Sequence, residues 1–522
     1  MSDVSTARRL LGILKKDRED RLIRIDEYMQ GIQDDPYIPE NADAEYRLLA
    51  ERSITNVMPF IVATPSQEMY LDSFRRGYKA GEKGDPTEGD LDEVQPEWDH
   101  WQYSRMDARQ SAIYRGALTF GHSFVLTERD DKGRVRSRGL SALRTSALFE
   151  DAANDDEPQV VLTVTRFPAG DPNATGEDAQ KFKPGKAWMW DDTYEYEVTF
   201  RNIEDLKNGV SVSRIGRHHA EECPVTRFAA AVDLEGRTVG VVEPMIALQN
   251  RINQTVFDML VVQSYASFKV RTISGMAPPL KMKPIDAEGN EVLNPSQNEH
   301  KIEDWVPRIN PSTGTPIPDD VKVNARRFFW AEDENTKFST LDETPLDGFI
   351  EAIKIAFQHM AALSQTPPHH LLGQIANLSA EALEAAETAL SRKVEEFKHV
   401  FGESWERVFR IAAQIGDWEG AEDFNGEVVW RDLDNRALGA VGDALAKFRT
   451  ELGVPAKGLW KRIPNVTANE LKEWSKMAED ENPDVTLAAA ARRAGASTRP
   501  QYRQPVQSTQ TRSQAREAVP VA

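Results

Sequence analysis

The apolar residues Leu383, Leu390, Val394, Phe397, Phe401, Val408 and Ile411 recur at helical spacing from about Ser379 to Ile415. A helix over that run has about 36 residues and is roughly 50 Å long. A rod of that length needs neighbours along its whole extent, so the chain must build a large fold or pack against copies of itself. Gly402 falls inside the run and is expected to kink it.

Two further patterns precede it. Val239 to about Ala266 carries Met245, Leu248, Ile252, Val256 and Met259 on one face, with Asn250, Asn253 and Gln254 among them, so it is not simply a core helix. Leu346 to about Leu363 carries Ile350, Ile353, Phe357 and Met360. Residues 267–344 between them are irregular, with a few short strands. Upstream, the spacing predicts helix over Thr6–Ile32, a second helix interrupted at Pro59, and a third over Met106–Leu118. A β-rich stretch follows. "HSFVLTERDDKGRVRSRGL" is a hairpin turning at Asp131, Lys132 and Gly133, and "QVVLTVTRF", "AWMWDD", "YEYEVTF" and "VSVSRI" are further strands. Near the C-terminus "FNGEVVWRD" is a strand, and Leu438, Val441, Leu445, Phe448 and Leu452 mark a helix. Thr467 with Glu470 reads as a capping box. Beyond Glu481 the composition is that of a disordered tail, mildly basic through Arg492, Arg493, Arg499, Arg503, Arg512 and Arg516. The fold class is therefore α+β with several domains, as 522 residues demand.

The formal net charge is -20. Tight binding to DNA phosphates relies on Lys and Arg displacing counterions, which argues against a repressor, nuclease or polymerase but not against a protein that DNA slides past. Mean hydropathy is -0.54. No apolar run approaches the roughly 20 residues that span a bilayer, and the charged N-terminus lacks the pattern of a signal peptide, so no membrane partner and a cytosolic protein are expected. The lone Cys223 permits neither an internal disulfide nor a cysteine-based zinc site and is expected to be a small core residue.

Motifs of catalysis fail on spacing. "GYKAGEKGD" lacks the second glycine of a phosphate loop, and no dinucleotide fingerprint follows a strand. "GHSFV", Gly121 to Val125, lacks the closing glycine of a nucleophile elbow, so Ser123 reads as a strand residue. His218–His219 and His369–His370 are the paired histidines. Adjacent side chains on a strand point to opposite faces. In a loop two neighbours need a further ligand, and none stands at a useful spacing. Surface or interface histidines are expected, with no metal, no cofactor and no catalytic residues. Ser379 in "NLS" is expected to cap the long helix, with Asn377 bracing the turn before it.

Four stretches carry a resemblance. They are "YMQGIQDD" before a helix ending in "ITNVMPFIV"; "YRGALTFGHSFVLTERDDKGR"; "CPVTRFAAAVDLEGRTVGVVEPMIALQNRINQTVFDML"; and "TPPHHLLGQIANLSAEALEAAETALSRKVEEFKHVFGESWERVFRIA". Together and in this order they resemble the portal (head–tail connector) proteins of long-tailed double-stranded DNA bacteriophages.

The resemblance implies a virion protein, assembled in the host cytoplasm into a ring of about twelve subunits at one capsid vertex. It implies an α+β portal fold: a mixed wing over residues 1–238, stem helices over 239–266 and 345–365, a small irregular clip over 267–344, and a tunnel loop over 366–378. The long kinked helix and wing return strand occupy 379–432, a helical crown 433–480, and a tail 481–522. The stem faces would carry Met245, Leu248, Ile252, Val256, Ile350, Ile353, Phe357 and Met360. Pro367, Pro368, His369, His370, Leu371, Leu372, Gln374, Ile375 and Asn377 would face the channel, with double-stranded DNA in weak, non-specific contact. The implied partners are other copies of the chain, the terminase motor, a head–tail adaptor, and major capsid and scaffold proteins. The implied protein is not an enzyme. A metal-dependent hydrolase using His369 and His370, or another head-assembly component, is the alternative.

Overall fold

A computed structural model of the chain describes residues 2–480 except 39–43, 77–95, 155–156, 171–181, 267–270, 275–279, 297, 318–336, 341–344, 374–379, 432–437, 461, 464–465 and 467. Two compact units emerge. The first comprises residues 1–25, 60–243 and 390–522, the second residues 26–59 and 244–389.

Among the described residues the first unit holds three antiparallel sheets, of five, three and two strands. Helix α1 (Asp3–Asp17) opens with Ser2 as N-cap, its side chain accepting from the Ser5 amide. A π-helical turn (Arg18–Leu22) and α2 (Ile23–Gln30) continue it, so the helix expected from Thr6 onward is present with one change of winding. Ala7, Leu10, Leu11 and Leu14 lie on one face of α1 and are buried against a five-stranded sheet. Its strands β4 (Thr145–Leu148), β5 (Val160–Arg166), β6 (Gly185–Trp190), β7 (Tyr194–Phe200) and β8 (Val210–Arg217) follow chain order. Alternation decides the two faces. Leu162, Val164, Ala187, Met189, Val198 and Phe200 meet α1, whereas Val161 and Trp190 turn the other way, onto Phe124, Leu126, Cys223 and Val225.

Phe124, Leu126 and Val225 belong to a three-stranded sheet of order β3-β2-β9, comprising β2 (His122–Arg129), β3 (Val135–Leu140) and β9 (Val225–Ala229). The β2–β3 hairpin turns where expected: Gly133 has φ +75°, and Asp130 Oδ1 accepts from the amides of Lys132 and Arg134, both at 2.9 Å. Helix α6 (Met106–Phe120) packs on this sheet. It ends at Gly121, whose φ of +90° and close approach to the Thr238 carbonyl leave no room for a Cβ.

The C-terminal half of α10 (Ala380–Gly416) supplies a further buried apolar face. Phe401, Trp405, Val408, Phe409, Ile411 and Ile415 are at most 1% exposed. Trp405 stacks edge-on against Trp101 of α5 (Pro96–Tyr103) and Phe228, and its Nε1 donates to the Tyr114 hydroxyl at 2.8 Å. Strand β1 (Leu71–Arg75) pairs antiparallel with β14 (Glu427–Trp430). Helix α10, where a kink is expected at Gly402, continues through that residue. A Cβ there would lie 3.3 Å from Val428 of β14, so close packing explains the glycine. Helices α11 (Leu438–Glu451), α12 (Ala456–Trp460) and α13 (Ala468–Asp480) complete the described chain, with Trp460 edge-on to Trp474. The capping residue Thr467 and the tail 481–522 lie outside the described residues.

The second unit contains α3 (Ala44–Ser53), α7 (Ile246–Ala266) and α8 (Asp347–Ser364), with α7 packed on both others. The break expected at Pro59 falls earlier, at the non-helical residues 54–57. Pro59 is instead the second residue of α4 (Met58–Gln67), where the missing N–H costs nothing. The helix expected from Val239 begins at Ile246. Residues 239–242 are non-helical, with Val241 N donating to the Leu118 carbonyl at 2.7 Å, and Gly240 lies so close to the end of α6 that a Cβ would clash with the Thr119 carbonyl. Beyond α7, strand β10 (Arg271–Ser274) pairs antiparallel with β13 (Lys337–Thr340), which leads toward α8. Between them β11 (Met282–Ile285) pairs with β12 (Asp304–Pro307).

Candidate functional site: the turn between two long helices

Helix α8 ends in a left-handed residue that is not glycine: Gln365 has φ +54°. The amide of Thr366 bonds back to the Ala361 carbonyl at 3.0 Å, and that of Gln365 to Ala362 at 3.4 Å. These are the two bonds of a Schellman cap, and Pro367 follows because it cannot continue the helix. Helix α9 (Pro368–Leu372) is a single turn closed by Gly373, φ +63°, whose amide donates to the His369 carbonyl at 3.0 Å.

That single turn alters the geometry of the histidine pair. On a strand the rings of His369 and His370 would point apart; in a helical turn they lie about 100° apart around the axis. Both rings reach one carboxylate. His369 Nε2 is 3.1 Å and His370 Nε2 3.4 Å from Glu387 Oε1, which stands two turns into α10. The rings are edge to face with centroids 4.4 Å apart. His369 is only 9% exposed and its Nδ1 is buried without a hydrogen-bond partner, while His370 faces outward. Among the described residues this is the one group of three potential ligands whose donor atoms face one another.

Of the other residues expected to face a channel, Pro367 is buried, Pro368 is exposed, and Leu371 and Leu372 are half-buried. Gln374, Ile375, Asn377 and the helix-capping Ser379 lie outside the described residues. Of the residues expected on stem faces, Met245, Ile252 and Met360 are buried and Leu248, Val256, Ile353 and Phe357 half-buried, but Ile350 is 44% exposed.

The polar residues of α7 anchor the segment around 28–57. Asn253 and Gln249 are buried and joined at 2.9 Å. Gln249 binds both the Thr55 carbonyl and the Val57 amide, at 2.7 and 3.1 Å, and Asn250 accepts from the Tyr28 hydroxyl at 2.7 Å. Gln254 accepts from the Tyr37 amide at 2.7 Å.

The other sequence candidates are structural. Ser123 is buried, its hydroxyl donating to the Ile113 carbonyl at 2.9 Å. Cys223 is 1% exposed, and burial pushes its thiol pKa up to about 12, far from that of a reactive thiolate. His218, expected at a surface, is buried with Nε2 2.8 Å from the Asp191 carbonyl, and His219 turns away at φ +64°. Two groups escaped the sequence reading. Arg407 on the buried face of α10 is 3% exposed, donates to the Val225 and Cys223 carbonyls, and pairs with Glu222 at 2.7 Å. Glu387 had no local signal, being one of several acids in "AEALEAAE".

Comparison with known proteins identifies a family. The family profile described as "Phage portal protein, SPP1 Gp6-like" matches residues 11–484. The portal protein of Mycobacterium phage D29 is 32% identical over 143 residues, 27% of this chain and 29% of that protein. The portal protein of Mycobacterium phage L5 is 34% identical over 125 residues, 23% of this chain and 26% of its own. The matched stretches thus span less than a third of these relatives. Among the described residues no helix is long and apolar enough to cross a membrane. The family match runs through the five- and three-stranded sheets, α7, α8 and all of α10–α13, and the chain belongs to the phage portal protein family.

Proposed function

We propose that the chain assembles into a ring of about twelve subunits at one capsid vertex, forming the channel through which DNA is packaged and ejected and the platform for terminase and head–tail completion proteins. The observation that carries this reading is the portal family match over residues 11–484. Helices α7 and α8 are the stem. The antiparallel pair β10–β13 draws together the segments following α7 and preceding α8, as a clip carried at the stem's end requires. Exposed apolar residues support subunit contacts: Ile355 is 39% and Leu363 64% exposed on α8, and in the crown Phe448 is 39% and Leu452 70% exposed. Residues 1–238 serve as wing, and 366–378 as the loop toward the channel. The net charge of -20 keeps DNA contacts weak, so that translocation does not stall.

Negative-stain images of the purified protein test the reading. Rings with a central hole are expected; a protein that stays monomeric under capsid-like ionic conditions and high concentration overturns it. Deleting residues 367–375 is expected to leave rings intact while impairing DNA packaging or retention, and normal packaging by that variant removes the loop from the channel.

A further inference from the structure

We propose that His369, His370 and Glu387 bind a divalent transition-metal ion of the zinc class, which ties α9 to the start of α10. Two imidazoles and one carboxylate form a borderline donor set of the kind that selects zinc over calcium or magnesium. The geometry is close to what coordination needs. Ligands of tetrahedral zinc at about 2.0–2.1 Å stand roughly 3.3 Å from one another. The two nitrogen–oxygen separations here are 3.1 and 3.4 Å, and all three donors fall within 4.8 Å.

Burial fixes the position of one ligand. The ring of His369 is nine-tenths buried with its Nδ1 unsatisfied. Held by that burial, the ring keeps Nε2, the nitrogen turned toward Glu387, as the donor available to an ion. His370 lies on the outer side of the cluster and leaves a fourth position open to water. The ion would act on structure: it closes a chelate across the connection from α9 to α10 and fixes the direction in which Pro367 and Pro368 leave α8. This inference does not rest on the channel reading.

The test uses the full chain without an affinity tag, stripped with chelator and titrated calorimetrically with zinc chloride. One ion per chain is expected. Glu387→Gln and His370→Ala are each expected to weaken binding about tenfold or more. Cobalt(II) added to the stripped protein is expected to give the visible absorption of a four-coordinate site, absent in Glu387→Gln. His369 is left unchanged because its removal would open a cavity, and thermal melts confirm that the two variants fold. The proposal is overturned if the stripped chain takes up no zinc, or if both variants bind it with wild-type stoichiometry and affinity. Either failure leaves ring formation, read by microscopy of the same sample, unaffected.

Discussion

The carboxamide of Asn253 donates to Gln33 Oε1 at 2.7 Å, joining residues 220 positions apart. The same side chain accepts from Gln249 at 2.9 Å and from the Thr55 amide at 3.1 Å. Gln33, Gln249 and Asn253 are all at most 8% exposed. A fully connected amide network of this kind fixes one register of α7 against the segment around 28–57, because any shift would bury unsatisfied donors and acceptors.

Replacing Asn253 with Leu keeps roughly the same volume but strands the Thr55 amide and the Gln33 carbonyl oxygen. The expected loss is about 3 kcal/mol, at a penalty of about 1–3 kcal/mol for each stranded group. Gln33→Leu combined with Asn253→Leu should cost less than the sum of the single changes, since neither partner is then left alone. Denaturant unfolding at one fixed protein concentration measures both; additive effects would mean that the two side chains are not coupled.

Arg407 makes the corresponding prediction for the first unit. Its guanidinium is buried, with Glu222 its nearer charged partner at 2.7 Å and the exposed Glu157 at 3.7 Å. Arg407→Met removes the charge and strands the Glu222 carboxylate and two backbone carbonyls, with an expected loss of about 3–5 kcal/mol. Arg407→Lys should rescue little, because a point charge cannot serve Glu222, Val225 and Cys223 together. A thermal melt of the two variants decides: recovery by lysine would show that charge alone is what the site needs.

These two networks mark the boundary of what the sequence makes legible. Period-two alternation located β5 to β8, and the Asp-Lys-Gly turn located the β2–β3 hairpin, because both signals are local. The polar residues of α7 announced that the helix has polar neighbours, but not which. Arg407 on a helix reads as surface until β9 is brought against it. Glu387 stands 17 positions beyond His370 and becomes a partner only when α9 and α10 fold back on each other. The close neighbour of Gly402, Val428, is on a strand 26 residues away, so the sequence alone cannot show why the residue is small.

Burial lowers the pKa of His100 to about 4 from an ordinary 6.5. The ring is 3% exposed with Nε2 2.9 Å from the Ser137 hydroxyl. Between these two values the unfolded chain holds a proton that the folded chain does not, so stability rises with pH across the window. The contribution is complete above about pH 6.5 and lost as pH falls toward 4, by about 3 kcal/mol for a shift of that size. His100→Gln cannot titrate, so its stability should fall less steeply than wild type over that range. His122, held near pH 4 first by burial and then by Arg21 and Arg227, keeps part of the slope in the variant. Urea midpoints from pH 4 to 7 test this; parallel curves for the two proteins would exclude His100 as a source of acid sensitivity.

Gln365 occupies the left-handed position of the Schellman cap that ends α8, and its side chain is exposed, so backbone conformation alone is at issue there. A residue with a Cβ costs about 1 kcal/mol or more in that region, which glycine avoids, although glycine gives back part of the gain through a freer unfolded chain. Gln365→Gly is therefore expected to stabilise by a few tenths to about 1 kcal/mol. Gln365→Val, β-branched and far more strained at positive φ, is expected to destabilise by about 1–2 kcal/mol. Melting temperatures shifting in opposite directions would establish that this cap sets the path into Pro367 and the histidine turn. Shifts of the same sign would mean that contacts of the α9 turn, rather than the cap, hold the end of α8.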